Sequence, residues 1–328
     1  TAYNTRIVAP PHGSMLPMSP VRKNILMVAC ALGLLIPVVI IFICENMNTR
    51  VRGRKDLESV TVPFIGEIPL FTRKKKGIFR KKPQEVRAIV VKEGSRDIIN
   101  EAFRVLRTNL EFMTGKDKAS NVIIVTSFNP GSGKSFLTMN IAVSFAIKGK
   151  KVLVIDGDLR HGSASSYIDS PTKGLSDYLG GRIDNLNEII VTNPKQKYLD
   201  ILPVGTIPPN PTELLFDDRL KQVIDTVREQ YEYVLIDCPP IELVADTQII
   251  EKLADRTIFV VRAGLLELSM LAELEKIYGE KKYKNMSLIL NGTEGSGGRY
   301  GYRYGYRYGY HYGYGSEYHY GSDEKYIE

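Results

Sequence analysis

Cysteine is scarce in this 328-residue chain: Cys30, Cys44 and Cys238 are an odd trio at no metal-ligand spacing. That speaks against a disulfide framework, and free thiols suit a reducing compartment. Charge is absent from Asn24 to Cys44, a run of 21 residues. At ~1.5 Å rise per residue such a run spans ~30 Å, the hydrocarbon thickness of a bilayer. Its length and interior position fit a transmembrane helix better than a buried core helix or the apolar region of a signal peptide. Pro37 inside it is a kink that membrane helices tolerate. Aliphatic side chains are absent from Arg299–His319, RYGYRYGYRYGYHYGYGSEYH. A glycine-interleaved repeat of that kind has nothing with which to build a core and is expected to be disordered. The rest is ordinary for a folded domain, with 43% apolar and 25% charged residues overall.

The basic residues are unevenly placed. Arg50, Arg52, Arg54 and Lys55 follow the apolar run closely, and only Arg22 and Lys23 precede it. Basic residues accumulate on the cytoplasmic side, so the C-terminal part is expected in the cytoplasm. Residues 73–82, RKKKGIFRKK, hold seven basic side chains in ten, a density that anionic lipid attracts. This cluster explains much of the net charge of +7, so the charge is no argument for nucleic acid and no nucleic-acid partner is expected. Thr1–Pro20 is proline-rich without apolar periodicity and reads as a linker, and Thr1 in place of Met suggests an upstream part.

The organising stretch is Val122–Ser144, VIIVTSFNPGSGKSFLTMNIAVS. A short β-rich run, a turn of small residues, Gly-Lys-Ser and a helical pattern follow one another as a phosphate-binding loop requires. Gly131 and Gly133 let backbone amides approach phosphate oxygens, and the helix start adds its positive end. Asn129, Pro130, Gly131, Ser132, Gly133, Lys134, Ser135 and Phe136 form the expected ATP contact set. Lys134 would reach the β- and γ-phosphates and Ser135 would meet Mg²⁺. One glycine is missing, because Phe128 stands where the motif usually begins with Gly.

Strand and helix patterns then alternate. Strands are expected at 151–155, 199–204, 233–236, 257–261 and 287–290, and helices at 211–229, 246–254 and 268–279. Alternation of this kind predicts a P-loop NTPase-type α/β fold, a mostly parallel sheet with helices on both faces. Ligands in such sheets bind at the carboxyl ends of the strands. Asp156, Asp158 and Asp237 all stand there by this reading. Any one of them is explained as a helix cap, but three beside Gly-Lys-Ser point to phosphoryl transfer. Lys134 then neutralises phosphate charge, and Ser135, Asp156 and Asp237 hold the metal. Asp156 and Asp158 orient water on it and receive the proton of the acceptor. Residues 97–113 carry helical apolar spacing with Glu101, Arg104 and Arg107 three apart on one side, as either an internally paired solvated face or a subunit contact.

From about Thr49 to Asn291 the chain resembles the bacterial tyrosine kinases of the polysaccharide co-polymerase family. NPGSGKS, VLVIDGDLR, YVLIDCPP, KGLSDYL and PPNPTELL carry the likeness in order and spacing. It departs at Phe136, where the family usually has a hydroxyl residue. EAFRVLR resembles the family's oligomerisation motif, which implies ring contacts through Glu101, Arg104 and Arg107. The likeness implies a membrane-anchored, ATP- and Mg²⁺-dependent, non-specific protein-tyrosine kinase at the bacterial inner membrane. It implies regulation of capsular or exopolysaccharide chain length and export, with polymerisation and export machinery and a tyrosine phosphatase as partners. The expected domains are 1–23, a linker from a periplasmic part, 24–44, the membrane helix, 45–95, a basic juxtamembrane linker, 96–294, the kinase domain, and 295–328, a flexible tail.

Eleven of the 19 tyrosines lie in that tail: Tyr300, Tyr302, Tyr304, Tyr306, Tyr308, Tyr310, Tyr312, Tyr314, Tyr318, Tyr320 and Tyr326. A self-associating aromatic–Arg segment or a single-strand nucleic-acid binder would share this pattern. Beside a nucleotide site, phosphoacceptors in trans within a ring are the reading preferred here. The competing reading of the chain is a P-loop ATPase switch of the partition or division-site type. Those proteins usually carry an extra lysine where this chain has Asn129, and they lack the membrane helix and tyrosine repeat.

Overall fold

The computed structural model describes residues 22–46, 49–71, 88–115, 121–241 and 245–294. The proline-rich start, the basic run at 73–82 and the tyrosines from Tyr300 to Tyr326 lie outside these residues. Two units are described. The first is a helix, α1 (Arg22–Asn46), with Pro37 in its interior. Its Arg22–Ile43 window has a mean hydropathy of 3.0 and none of it is buried. Leu34 is 75% exposed and Phe42 68%, an arrangement whose cost in water disappears in lipid. The helix fits membrane anchoring.

The second unit begins at Arg50. Its centre is one eight-stranded sheet built from β1 (Phe64–Pro69), β2 (Val122–Thr126), β3 (Val152–Asp156), β4 (Val191–Thr192), β5 (Leu199–Leu202), β6 (Tyr233–Asp237), β7 (Arg256–Arg262) and β8 (Met286–Thr293). Their spatial order is β1-β8-β7-β2-β6-β3-β5-β4, parallel throughout except for the β4–β5 pair. The helices are α2 (Ile98–Thr114), α3 (Lys134–Ile147), α4 (Leu175–Leu179), α5 (Pro211–Leu215), α6 (Asp218–Gln230), α7 (Asp246–Glu251) and α8 (Met270–Gly279). The mostly parallel α/β architecture expected from the alternation is present.

Continuous apolar runs make the central strands, because helices cover both faces and every position must be buried. In β2, Val122 and Ile124 pack on one side with α6, α7 and α8, while Ile123 and Val125 pack on the other with α2 and α3. α3 lies against the middle of the sheet and is buried almost all round, from Leu137 to Ala146. Its start therefore sits at the carboxyl end of β2, where the loop feeds it.

Three expectations change. The stretch read as a juxtamembrane linker, 45–95, supplies β1 to the sheet edge, paired with β8 and covered by α2. Gly66 in that strand lets Leu106 of α2 approach, since a Cβ there would meet Leu106 Cδ1 at 3.3 Å. The single helix expected at 211–229 is two, α5 and α6. Asp217 ends the first by capping the second, its carboxylate accepting from Arg219 N at 2.8 Å. The strand expected at 199–204 stops at Leu202, because Pro203 has no N–H to continue the ladder.

Candidate active site

The loop leaves β2 and turns at Ser127–Gly133 before α3 begins at Lys134. Phe128, in place of the missing glycine, is buried and meets Phe259 of β7 edge-on with ring centroids 4.9 Å apart. Its side chain fills core under the loop. Gly131 and Gly133 have φ of 74° and 87°, the left-handed region that favours glycine. Asn129 O accepts from the Ser127 and Ser132 hydroxyls at 2.8 Å each, which closes the turn. Lys134 is buried at the first turn of α3, with Ser135 half-buried beside it. Phe136 is half-buried and packs edge-on to Phe103 of α2 at 6.0 Å, so the departure from a hydroxyl residue serves packing.

The acidic residues come from neighbouring strands. Asp156 at the end of β3 and Asp237 at the end of β6 are register partners, and both are buried. Asp156 Oδ2 accepts from Ser165 N and Ser165 Oγ, each at 2.6 Å, and Asp158 N stands 3.3 Å from Oδ1. Asp237 is different: neither of its carboxyl oxygens has a partner in good hydrogen-bond geometry, and the Ser135 hydroxyl nearby is its one hydroxyl neighbour of electrostatic consequence. Burial pushes both acids above the usual carboxylate range. For Asp156 the nearby Asp237 adds to the rise, and for Asp237 the charge of Lys134 and then the Ser135 hydroxyl counteract it. Asp158 lies a turn further on, accepting from Arg160 N and His161 N at 3.2 Å each, with His161 Nδ1 at 3.3 Å from both oxygens.

A buried carboxyl with two unpaired oxygens fits a hydrated divalent ion. Among the described residues no three acidic, histidine or cysteine side chains form a metal cluster of their own. One hydroxyl and the carboxyls of strand ends, beside a phosphate loop, are the donor set that magnesium takes in company with a nucleotide. The residues present fit the ion.

Sequence reasoning missed another buried acid. Asp246, the first residue of α7, accepts from Arg160 Nε at 3.1 Å and from the Thr212 hydroxyl at 2.6 Å. Arg160 Nη2 also donates to that hydroxyl at 2.9 Å. This triangle ties the turn carrying Asp158 to α5 and α7. The one available signal was that Arg160 and Thr212 fall inside two of the motifs quoted above, VLVIDGDLR and PPNPTELL. KGLSDYL is tied in separately: Asp177 Oδ2 accepts from Gly174 N at 3.0 Å and Thr206 N at 3.1 Å, ordering the loop after β5.

Of the expected subunit-contact residues, Glu101 and Arg104 pair with each other within α2. Arg104 also donates to Ser95 O at 2.6 Å, and Arg107 donates to Ser144 O of α3 at 2.7 Å.

Residues 120–288 match the AAA domain family. Tyrosine-protein kinase YwqD of Bacillus subtilis is 35% identical over 209 residues, 63% of this chain and 87% of that protein. The chain belongs to the tyrosine-protein kinase family. The kinase domain of the Escherichia coli tyrosine kinase ETK superposes with a TM-score of 0.64 at 28% identity, over 83% of this chain and all of that domain. A Klebsiella pneumoniae protein, named as a tyrosine-protein kinase in the cps region, is 29% identical over 265 residues, 79% of this chain. This kinase-family chain spans 36% of the length of that relative.

Proposed function

We propose that the protein is a membrane-anchored, ATP- and Mg²⁺-dependent protein-tyrosine kinase that phosphorylates its own C-terminal tyrosine cluster. The observation that carries this reading is the unpaired, buried Asp237 carboxyl at the strand end beside the phosphate loop. Lys134, at the start of α3, neutralises charge on the β- and γ-phosphates. Ser135, Asp156 and Asp237 would hold the ion, which would supply charge neutralisation to the transferring group. Asp158 accepts the tyrosine hydroxyl proton, and the Arg160–Thr212–Asp246 contacts hold its turn in place. Asn129, Pro130, Gly131, Ser132, Gly133 and Phe136 complete the nucleotide contacts.

The kinase is proposed to act in trans within a ring, each tail reaching the next subunit's site. The exposed face of α2 supports a helix contact between copies. Ile98, Val105 and Phe112 stand seven apart and are 58%, 37% and 88% exposed, alongside Glu101 and Arg104. The naming of a relative for the cps region supports a role in capsular or exopolysaccharide chain length and export. Export and polymerisation machinery and a tyrosine phosphatase are the proposed partners. The basic residues after α1 support a cytoplasmic kinase domain at the bacterial inner membrane.

Mass spectrometry of the purified chain after incubation with Mg-ATP tests the reading. Phosphate is expected on the tyrosines from Tyr300 to Tyr326 and absent from a Lys134→Met variant that retains the fold. ATP hydrolysis without phosphotyrosine would instead identify a nucleotide switch of the partition or division-site type.

A further inference from the structure

A trans peptide plane carries its N–H opposite its C=O, so whatever holds a carbonyl aims the amide of the next residue. The phosphate loop is held in this way from outside. Arg262 Nη1 donates to Gly131 O at 2.7 Å, and Asn291 Nδ2 donates to Ser132 O at 2.8 Å. The two donors are neighbours, since Arg262 ends β7 and pairs in register with Asn291 of β8. Asn291 is buried, and a Cβ on Gly133 would meet its Nδ2 at 2.3 Å. Brace and glycine therefore fit one another. A third held carbonyl, that of Asn129, precedes Pro130, which has no N–H to aim. The amides that are aimed belong to Ser132 and Gly133.

We propose that Arg262 and Asn291 are positioning residues for the nucleotide, turning the Ser132 and Gly133 amides toward its phosphates by holding the preceding carbonyls away. This rests on the nucleotide-site reading above. The flanking glycines explain the need. Peptide planes beside Gly131 and Gly133 rotate at little steric cost, and a rotated plane would present a carbonyl oxygen to phosphate. Two donors rooted in adjacent strands of a rigid sheet remove that freedom before the nucleotide arrives, so binding does not have to order the loop.

Fluorescent ADP and ATP analogues, titrated against the full chain in detergent, test the assignment. Wild-type binding is read first, and its absence would overturn the nucleotide site itself and the brace with it. With binding established, Arg262→Ala and Asn291→Leu should each weaken affinity by about tenfold. Arg262→Ala should leave the nucleotide-free melting temperature unchanged, and Arg262→Lys, which keeps a donor, should recover most of the loss. The double variant should lose less than the two single losses combined, because both side chains hold one loop. Salt separates the hydrogen bond from simple charge attraction. The Arg262→Ala deficit should persist between about 50 and 500 mM salt, over which an exposed charge effect is screened away. A deficit that vanishes at high salt, or unchanged affinity in Arg262→Ala, overturns the proposal. Should Asn291→Leu fail to fold, the Arg262 series decides alone.

Discussion

At Asp237 the chain buries a carboxyl with no partner in good hydrogen-bond geometry, a placement that costs stability until something arrives to meet it. The direction of its pKa makes this measurable. Asp237 and Asp156 are both raised above the ordinary value of 3.8. An acid raised in the folded state keeps its proton there while the unfolded chain has already released it. Stability is therefore present at low pH and declines as pH rises from 3.8 toward the folded values. Asp237→Asn should flatten that decline and raise the nucleotide-free melting temperature near neutral pH. A relief on the order of 1 kcal/mol corresponds to about 2–4 °C in a domain of this size. The same variant should lose phosphorylation of the tail. Differential scanning fluorimetry across pH reads the first effect, and a melting temperature lowered near neutral pH would mean that the carboxyl has partners after all.

Elements show why part of the fold was readable and part was not. Central strands such as β2, β3 and β6 are short apolar runs ending in a polar residue or Asp, and burial on both faces leaves such runs few alternatives. β1 is an edge strand with Gly66, Glu67 and Pro69, buried only at Ile65 and Ile68, and only its pairing with β8 and its cover by α2 make it a strand. The acids at the ends of β3 and β6 were legible because strand ends are local features. The Arg160–Asp246 contact joins residues 86 apart in sequence and depends on how α7 docks, which no local pattern encodes. The loop after β5 is likewise long-range in origin. A Cβ on Gly174 would lie 2.3 Å from Gly205 N and Pro203 O, although the φ of Gly174 is an ordinary extended one. Gly174→Ala should therefore force the start of α4 off that loop. Overpacking against backbone costs about 1–3 kcal/mol, here about 2–12 °C in melting temperature. A variant with wild-type stability would show that the two segments separate freely.

On the scale of the whole molecule, the proposed ring and the tyrosine tail form one device, and α2 is the place to break it. Glu101 and Arg104 are 36% and 39% exposed and pair within their own helix, so a contact with another subunit requires them to exchange partners. An exposed pair of this kind is worth under about 1 kcal/mol, which makes the exchange easy. Arg104 also donates to Ser95 O and Arg107 to Ser144 O of α3, so removing either should lower the melting temperature by a few degrees on its own. Arg104→Ala, read for melting temperature as well as mass, probes assembly, with the Arg104→Ala, Arg107→Ala double variant as the stronger one. A glycine-rich segment of ~20 residues has an r.m.s. reach of ~25 Å, sufficient to enter a neighbour's site. Each phosphate added brings nearly two negative charges, which disfavour re-entry beside Asp156, Asp158 and Asp237 and make neighbouring tails repel. Unphosphorylated Lys134→Met protein should therefore be the larger oligomer and heavily phosphorylated wild type the smaller one. The Arg104 and Arg107 variants should also be small, and should phosphorylate poorly at low protein concentration but recover as concentration rises. Light scattering in detergent measures the masses, read below the melting temperature of each variant. Equal mass in every form would remove charge-controlled assembly while leaving phosphoryl transfer standing, and a concentration-independent rate would place the acceptor tyrosines in the same subunit as the site.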